Sequence, residues 1–140
     1  MLSFSRKKNI RKDILEVIEK SSEDQVVLEN MNIQDADLKA ILLKIQEIRP
    51  NIESLYLNQN QLGPKSGKLL SKHGMSFTKL QDINLIGNKL GKEGIRAAFT
   101  LLEKNPRIRF SLHGNGVETE EIEQLKDEIR QKVNKSLKKI

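Results

Sequence analysis

Residues 52–62 read IESLYLNQNQL, and residues 80–90 read LQDINLIGNKL. In both segments apolar residues occupy relative positions 1, 4, 6 and 11, and asparagine occupies position 9. The second segment begins 28 residues after the first. A pattern that returns at a fixed interval of this length predicts one structural unit that stacks on copies of itself.

Two less regular copies of the pattern flank this pair. The central leucines of the four copies, Leu28, Leu57, Leu85 and Leu112, are separated by 29, 28 and 27 residues. Met31 stands in the first copy where the other three carry asparagine. The sequence therefore predicts four repeats from about residue 25 to residue 118, of which the middle two are the most regular.

Each strand-like segment is followed by a segment with helical periodicity. Asp35 or Asp37 can cap the first of these helices, and Pro64 suits the first turn of the second. In the third helix, Gly94 and Ala98 lie on the buried side, where small side chains let two helices approach closely. Short strands that alternate with helices predict an α/β fold with a parallel sheet.

Two further helices are expected to close the ends of the repeat array. One covers residues 9–22, and a longer helix with an apolar stripe covers residues 119–138. Such caps are needed because a terminal repeat otherwise exposes its apolar side chains to water. We therefore expect a single domain over residues 9–140, preceded by a disordered basic tail at residues 1–8.

The most regular unit, Asn88-x-Leu90-x-x-x-Gly94-x-x-x-Ala98-x-x-x-Leu102, resembles the leucine-rich repeats of the ribonuclease-inhibitor type. This resemblance implies a short right-handed solenoid, a segment of a horseshoe, with parallel strands on the concave face and helices on the convex face. The resemblance is specific for fold and says little about function, because one fold hosts many functions.

In this family the repeated asparagine hydrogen-bonds backbone groups in the turn beyond each strand. The resemblance therefore implies that Asn60, Asn88 and Asn115 are structural residues, and that Asn60 and Asn88 are buried. Because Met31 stands at the same position in the first copy, we expect the first turn to be built differently.

The composition limits the chemistry available to the chain. There are 140 residues, a net charge of +6 and no cysteine, which excludes disulfides and thiolate metal sites. The two histidines, His73 in a predicted loop and His113 at the rim of the concave face, do not have metal-ligand spacing. No nucleophile motif is present either. We expect no enzyme activity, no metal and no cofactor.

The positive charge is concentrated at the ends of the sequence. Residues 1–12 carry five basic residues and no acidic one.

No apolar run approaches the ~20 residues of a membrane span, and none suits the core of a signal peptide. We expect a cytoplasmic protein, or one that a bacterium secretes into a host cell by a system that uses no signal peptide.

Strand positions that alternate with the buried leucines are expected to form the concave binding face. Tyr56, the only tyrosine, is among them and is expected to be exposed. Tyrosine and arginine are enriched at the centres of interfaces, so we expect Tyr56, Asn84, Ile86 and Arg109 to dominate binding. The candidate partner-binding residues are Tyr56, Asn58, Asp82, Asn84, Ile86, Arg109, Ser111 and His113.

The first functional hypothesis is a non-catalytic, monomeric module that binds one protein partner through this face. A short, lysine-rich, cysteine-free array is similar to the leucine-rich effectors that intracellular bacterial pathogens deliver into host cells. The alternative is a nucleic-acid or anionic-membrane binder that uses the basic termini. Actin binding is a further alternative, because residues 102–110 are similar in style to the helix-to-strand join of tropomodulin.

Overall fold

A computed structural model describes residues 9–138 of the chain. It is an α/β structure in which the strands of a four-stranded parallel sheet alternate with helices. The tail predicted for residues 1–8 lies outside the described residues. The elements in chain order are α1 (Lys12–Lys20), β1 (Gln25–Val27), α2 (Asp35–Ile48), β2 (Ser54–Tyr56), α3 (Pro64–Gly74), β3 (Asp82–Asn84), α4 (Gly91–Phe99) with its 3-10 continuation (Thr100–Glu103), β4 (Arg109–Ser111) and α5 (Thr119–Lys138).

The four strands lie side by side in chain order, β1-β2-β3-β4. Their central residues, Val26, Leu55, Ile83 and Phe110, are register partners, and the same offset holds for the residues on either side. The register confirms the alignment of the four copies made from the sequence. A helix lies in each connection between neighbouring strands, as parallel pairing requires.

The core lies between the sheet and the helices. The central strand residues Val26, Leu55 and Ile83 are buried in it, and so is the leucine two positions later in each repeat. Helix α4 buries Ala98 and Phe99 as its periodicity predicts. Removing this apolar surface from water is the main favourable contribution to folding, at about 25 cal/mol per Å².

The buried amide of Asn88 joins two successive repeats. Its Nδ2 donates to the carbonyl oxygens of Leu57 and Leu85, both at 3.0 Å, and its Oδ1 accepts the backbone N–H of Leu62 at 3.0 Å. Leu57 and Leu62 belong to the preceding repeat, whereas Leu85 belongs to the repeat of Asn88 itself. The burial and the turn bonding expected for this residue are therefore confirmed.

Asn60 and Asn115 repeat this arrangement one unit earlier and one unit later. Asn60 donates to the carbonyls just beyond β1 and β2 at 2.8 and 2.9 Å. Asn115 donates to those just beyond β3 and β4, both at 2.9 Å. Each of the two residues is only 2% exposed. We call Asn60, Asn88 and Asn115 the asparagine ladder.

Met31 occupies the ladder position of the first repeat, and the geometry explains the exception. Each asparagine of the ladder bonds to the repeat before it, and no strand precedes β1 within residues 9–138. The carbonyls of Met31 and Asn32 accept hydrogen bonds from the guanidinium of Arg11 instead, at 2.6 and 3.4 Å. The first turn is therefore built differently, as expected.

Asp35 does not cap its own helix, which corrects one of the two sequence alternatives. Helix α2 begins after Gln34, whose backbone N–H donates to the carboxylate of Asp37 at 2.8 Å. Asp35 accepts the N–H of Gly63 at 2.7 Å and the hydroxyl of Ser66, both at the start of α3. Its negative charge is therefore placed where the dipole of the following helix favours it.

The two end helices agree unequally with the prediction. Helix α5 has the predicted bounds of 119–138, whereas α1 is shorter than the predicted 9–22. Arg11 and Ser21 both have extended backbone ψ angles, 144° and 162°, and these end α1 on either side. Propensity and periodicity do not report such local backbone conformations, which explains the difference.

Helices α3 and α4 approach each other through facing glycines. A Cβ atom placed on Gly67 would lie 2.1 Å from the carbonyl oxygen of Gly94, far inside van der Waals contact. The sequence placed Gly94 and Ala98 at a close helix contact. The structure shows that Gly67 supplies the opposite side of that contact.

Replacing Asn88 by alanine should lower the free energy of unfolding by about 1–3 kcal/mol, because buried backbone groups lose their partners. Urea denaturation followed by circular dichroism measures the change. Asn134→Ala, on the exposed surface of α5, is the matched control and should stay within about 0.5 kcal/mol of the parent. Equal midpoints for the two variants would contradict the role assigned to the ladder.

Gly67→Ala should destabilise the protein by about 2 kcal/mol or more, since the added methyl group overlaps a backbone oxygen of α4. Thermal denaturation provides the measurement. Lys68→Ala changes the exposed neighbour in the same helix and should shift stability by no more than about 0.5 kcal/mol. A Gly67→Ala protein as stable as the parent would show that α3 and α4 can separate freely.

Candidate functional site

The face of the sheet that points away from the core is the candidate site, and we call it the open face. The central residues of β1, β2 and β3 are buried and that of β4 is half-buried. The residues on either side of them are half-buried or exposed. The parallel register arranges these flanking residues in rows across the strands. The first row is Gln25, Ser54, Asp82 and Arg109, and the second is Val27, Tyr56, Asn84 and Ser111.

A third row, Glu29, Asn58, Ile86 and His113, lies just beyond the strand ends. The carbonyls of Asn58, Ile86 and His113 each accept a backbone N–H from the preceding repeat, at 2.7 to 3.0 Å. The backbone hydrogen bonding between neighbouring strands therefore continues beyond the strand ends. All eight residues predicted from the sequence to contact a partner lie in these three rows.

Arg109 and Asp82 form a two-point ion pair in the first row. Nε of Arg109 donates to Oδ1 of Asp82 at 3.0 Å, and Nη2 donates to Oδ2 at 3.3 Å. The side chain of Arg109 is 75% exposed and that of Asp82 is 39% exposed. The pair is therefore well solvated, and it presents a guanidinium and a carboxylate side by side rather than a lone cation.

Two asparagines of the open face already have hydrogen-bond partners. Oδ1 of Asn84 accepts the backbone N–H of Ile86 at 3.0 Å, and Nδ2 of Asn58 donates to the carboxylate of Glu29 at 3.0 Å. These bonds hold both side chains in one orientation, which reduces the entropy lost on binding. The adjacency of Glu29 and Asn58 in the third row was the sequence signal for the second bond.

Tyr56 lies in the middle row between Val27 and Asn84. It is half-buried, whereas the sequence predicted an exposed side chain. A strand with a neighbour on each side leaves less free surface around a side chain, which accounts for the difference. With Ile86, which is also half-buried, Tyr56 gives the open face a partly apolar centre.

A shallow groove borders the open face beside α1. Its volume is about 520 Å³, and its lining includes Val17 of α1, Val27 of β1 and Met31 of the first turn. The groove extends the apolar part of the open face beyond the first strand. No repeat pattern indicates it, because it forms where the end helix packs against the first unit.

The two histidines lie on different elements. His113 is exposed in the third row, whereas His73 belongs to the last turn of α3 rather than to the predicted loop. Burial lowers the pKa of His73, and the charges of Lys72 and Lys39 lower it further. Within residues 9–138, no group of three histidine, aspartate or glutamate side chains is placed to hold a metal ion.

Comparison of the chain with protein-family models finds no match. Comparison with the curated proteins finds no match either. Among residues 9–138, no helix is long and apolar enough to cross a membrane. The function is therefore inferred from the chemistry of the open face itself.

Arg109→Ala should change the free energy of unfolding by less than about 1 kcal/mol, because exposed ion pairs contribute roughly 0.2–1 kcal/mol. Thermal denaturation at low and at high salt measures the contribution and its screening. Asp82→Asn, which keeps the size of the side chain, should behave in the same way. A decrease of several kcal/mol in the free energy of unfolding of either variant would show that the ion pair is needed for the fold.

Proposed function

We propose that this chain is a short leucine-rich-repeat protein of the ribonuclease-inhibitor type, which binds a protein partner through the open face and catalyses no reaction. The observation that carries the proposal is the arrangement of three rows of four side chains on that face. One residue of each repeat contributes to each row, so the surface is continuous from the first repeat to the fourth.

The repeat assignment is supported by the 28-residue unit, the parallel sheet in chain order and the asparagine ladder. Strands lie about 4.8 Å apart, whereas packed helices lie about 8–10 Å apart. A layer of helices on one face of a sheet therefore favours curvature with the strands on the inner side. In that arrangement the open face is the concave surface of a short solenoid.

The size and chemistry of the open face suit a protein segment. Four adjacent strands span about 15 Å, which is wider than a small-molecule pocket. The aromatic ring of Tyr56 and the side chain of Ile86 form a partly apolar centre, with an arginine and several amides around it, as in many protein interfaces. We place Tyr56, Asn84, Ile86 and Arg109 at the centre of binding and Asn58, Asp82, Ser111 and His113 around them.

Delivery into a host cell by a bacterium and actin binding in the style of tropomodulin stay predictions. So do a cytoplasmic location and a monomeric state. Identification of the bound protein decides between the first two, since an actin-binding chain sediments with filaments and an effector captures a different host protein.

The test of the proposal is a variant that changes three of the main binding residues of the open face, Tyr56→Ala, Ile86→Asp and Arg109→Glu together. The parent chain should capture a protein from host-type or bacterial lysates at physiological salt, and the variant should lose it. The combined changes remove the aromatic contact, place a charge at the apolar centre and reverse the cation. Circular dichroism must show that the variant keeps the parent fold.

The matched control makes the same kinds of change at exposed helix positions, Leu43→Ala, Ala36→Asp and Lys135→Glu. It should capture the partner as the parent does. Equal loss in both variants would contradict binding through the open face. Capture of nucleic acid or lipid that moderate salt removes would assign binding to the basic termini instead.

A further inference from the structure

Helices α3 and α4 leave a groove along their outer sides, away from the sheet. The groove has a volume of about 740 Å³. Its lining residues on α3 follow the helical spacing i, i+3, i+4, i+7, and those on α4 follow the same spacing from Glu93. Each helix therefore turns a complete side face toward the groove. On α3 this spacing is formed by Lys68, Ser71 and Lys72, and it is continued by Met75, the residue directly after the helix.

Small side chains form the floor of this groove. The hydroxyls of Ser71 and Thr100 hydrogen-bond each other, and Thr100 also donates to the carbonyl of Ala97 at 2.6 Å. Because these polar atoms have partners within the protein, the floor offers mainly carbon atoms to a ligand. Met75, which is 50% exposed, adds a flexible apolar side chain that can adapt to what it contacts.

The rim on the α3 side is basic and uncompensated. Lys65, Lys68 and Lys72 are exposed, and none of them forms an ion pair with another residue of the 9–138 segment. Helix α3 contains no acidic residue. The pKa of His73 is lowered first by burial and then by the charges of Lys72 and Lys39, which agrees with the positive charge on this side of the groove.

The rim on the α4 side is different, because its charges are paired. Arg96 lies 2.7 Å from the carboxylate of Glu93 and 3.7 Å from that of Glu128. The groove therefore has one cationic rim, one neutralised rim and an apolar floor. This asymmetry defines both the chemistry and the orientation of a ligand.

We propose that the groove binds an acidic amphipathic helix of a protein partner. The apolar side of that helix lies on the floor near Ala97, and its carboxylates face the lysines of α3. Two adjacent helices accept the side-chain ridge of a third in the groove between them. Helix α3 has 11 residues, so its length of ~16 Å accommodates about three turns of the partner.

The concave shape favours a helix over a membrane surface. The lining combines small side chains at the line where the two helices meet, such as Ser71 and Thr100, with long lysine side chains on α3. A flat anionic bilayer would contact the lysines and leave the floor empty. A helix with a ridge of larger apolar residues contacts both.

The probe is a fluorescein-labelled peptide of about 18 residues, or five helical turns, with leucine at i, i+3, i+4 and i+7, glutamate on one flank and glutamine on the other. Fluorescence anisotropy at physiological salt measures its affinity for the full chain. A peptide of the same composition in scrambled order, and one with lysine in place of glutamate, should bind at least about tenfold more weakly.

Two variants separate charge from shape. The first variant combines Lys65→Glu, Lys68→Glu and Lys72→Glu. Its affinity for the acidic peptide should be at least about tenfold lower, because attraction between the charges becomes repulsion. Lys79→Glu, Lys89→Glu and Lys135→Glu carry the same charge change at other exposed, unpaired positions of the described chain, and should leave the affinity within about twofold.

Ala97→Gln places a longer side chain in the floor without changing the charge. It should lower the affinity for the same peptide about fivefold or more. Equal affinities for the two lysine variants, or no effect of Ala97→Gln, would overturn the proposal. Phosphatidylserine vesicles bound through the α3 lysines and indifferent to Ala97→Gln would overturn it in favour of a membrane. The open-face variant should bind the peptide as the parent does, which keeps this result distinct from the proposed function.

Discussion

The hydrogen bonds of three buried asparagines hold the successive repeats in register. Apolar burial alone is non-directional, so similar leucines could pack against one another in more than one alignment. Each buried amide must meet carbonyls of two repeats and an N–H at fixed positions, and only one alignment allows this. The rows of the open face and the contact between α3 and α4 both depend on that alignment.

The strand register and the burial of the asparagines were predictable because they recur at nearly constant spacing in the sequence. The residue on the opposite side of a contact between two units was not predictable, because no pattern inside one unit contains it. Asp35 serves the helix of the next repeat rather than its own. Gly67 is one position away from its place in the regular unit, so the alignment concealed that it faces Gly94.

The candidate site was likewise predictable from the sequence only in part. Alternation along the strands identified which residues reach the open face, but it did not report that Tyr56 is half-buried. The pairing of Arg109 with Asp82 was readable in principle, since opposite charges occupy neighbouring positions in one row. The groove between α3 and α4 was not predicted, because its lining consists of positions at which the repeat pattern specifies no residue.

Each amide of the ladder satisfies a turn that lies 25 to 29 residues earlier in the chain. A ribosome makes the chain from its N-terminus, so every such turn emerges before the side chain that completes it. Each of the first three turns therefore stays without its amide partner until the next repeat has been made, and the third waits for Asn115. Synthesis and hydrogen bonding proceed in the same direction, and the asparagine of each new repeat completes the hydrogen bonds of the turn made before it.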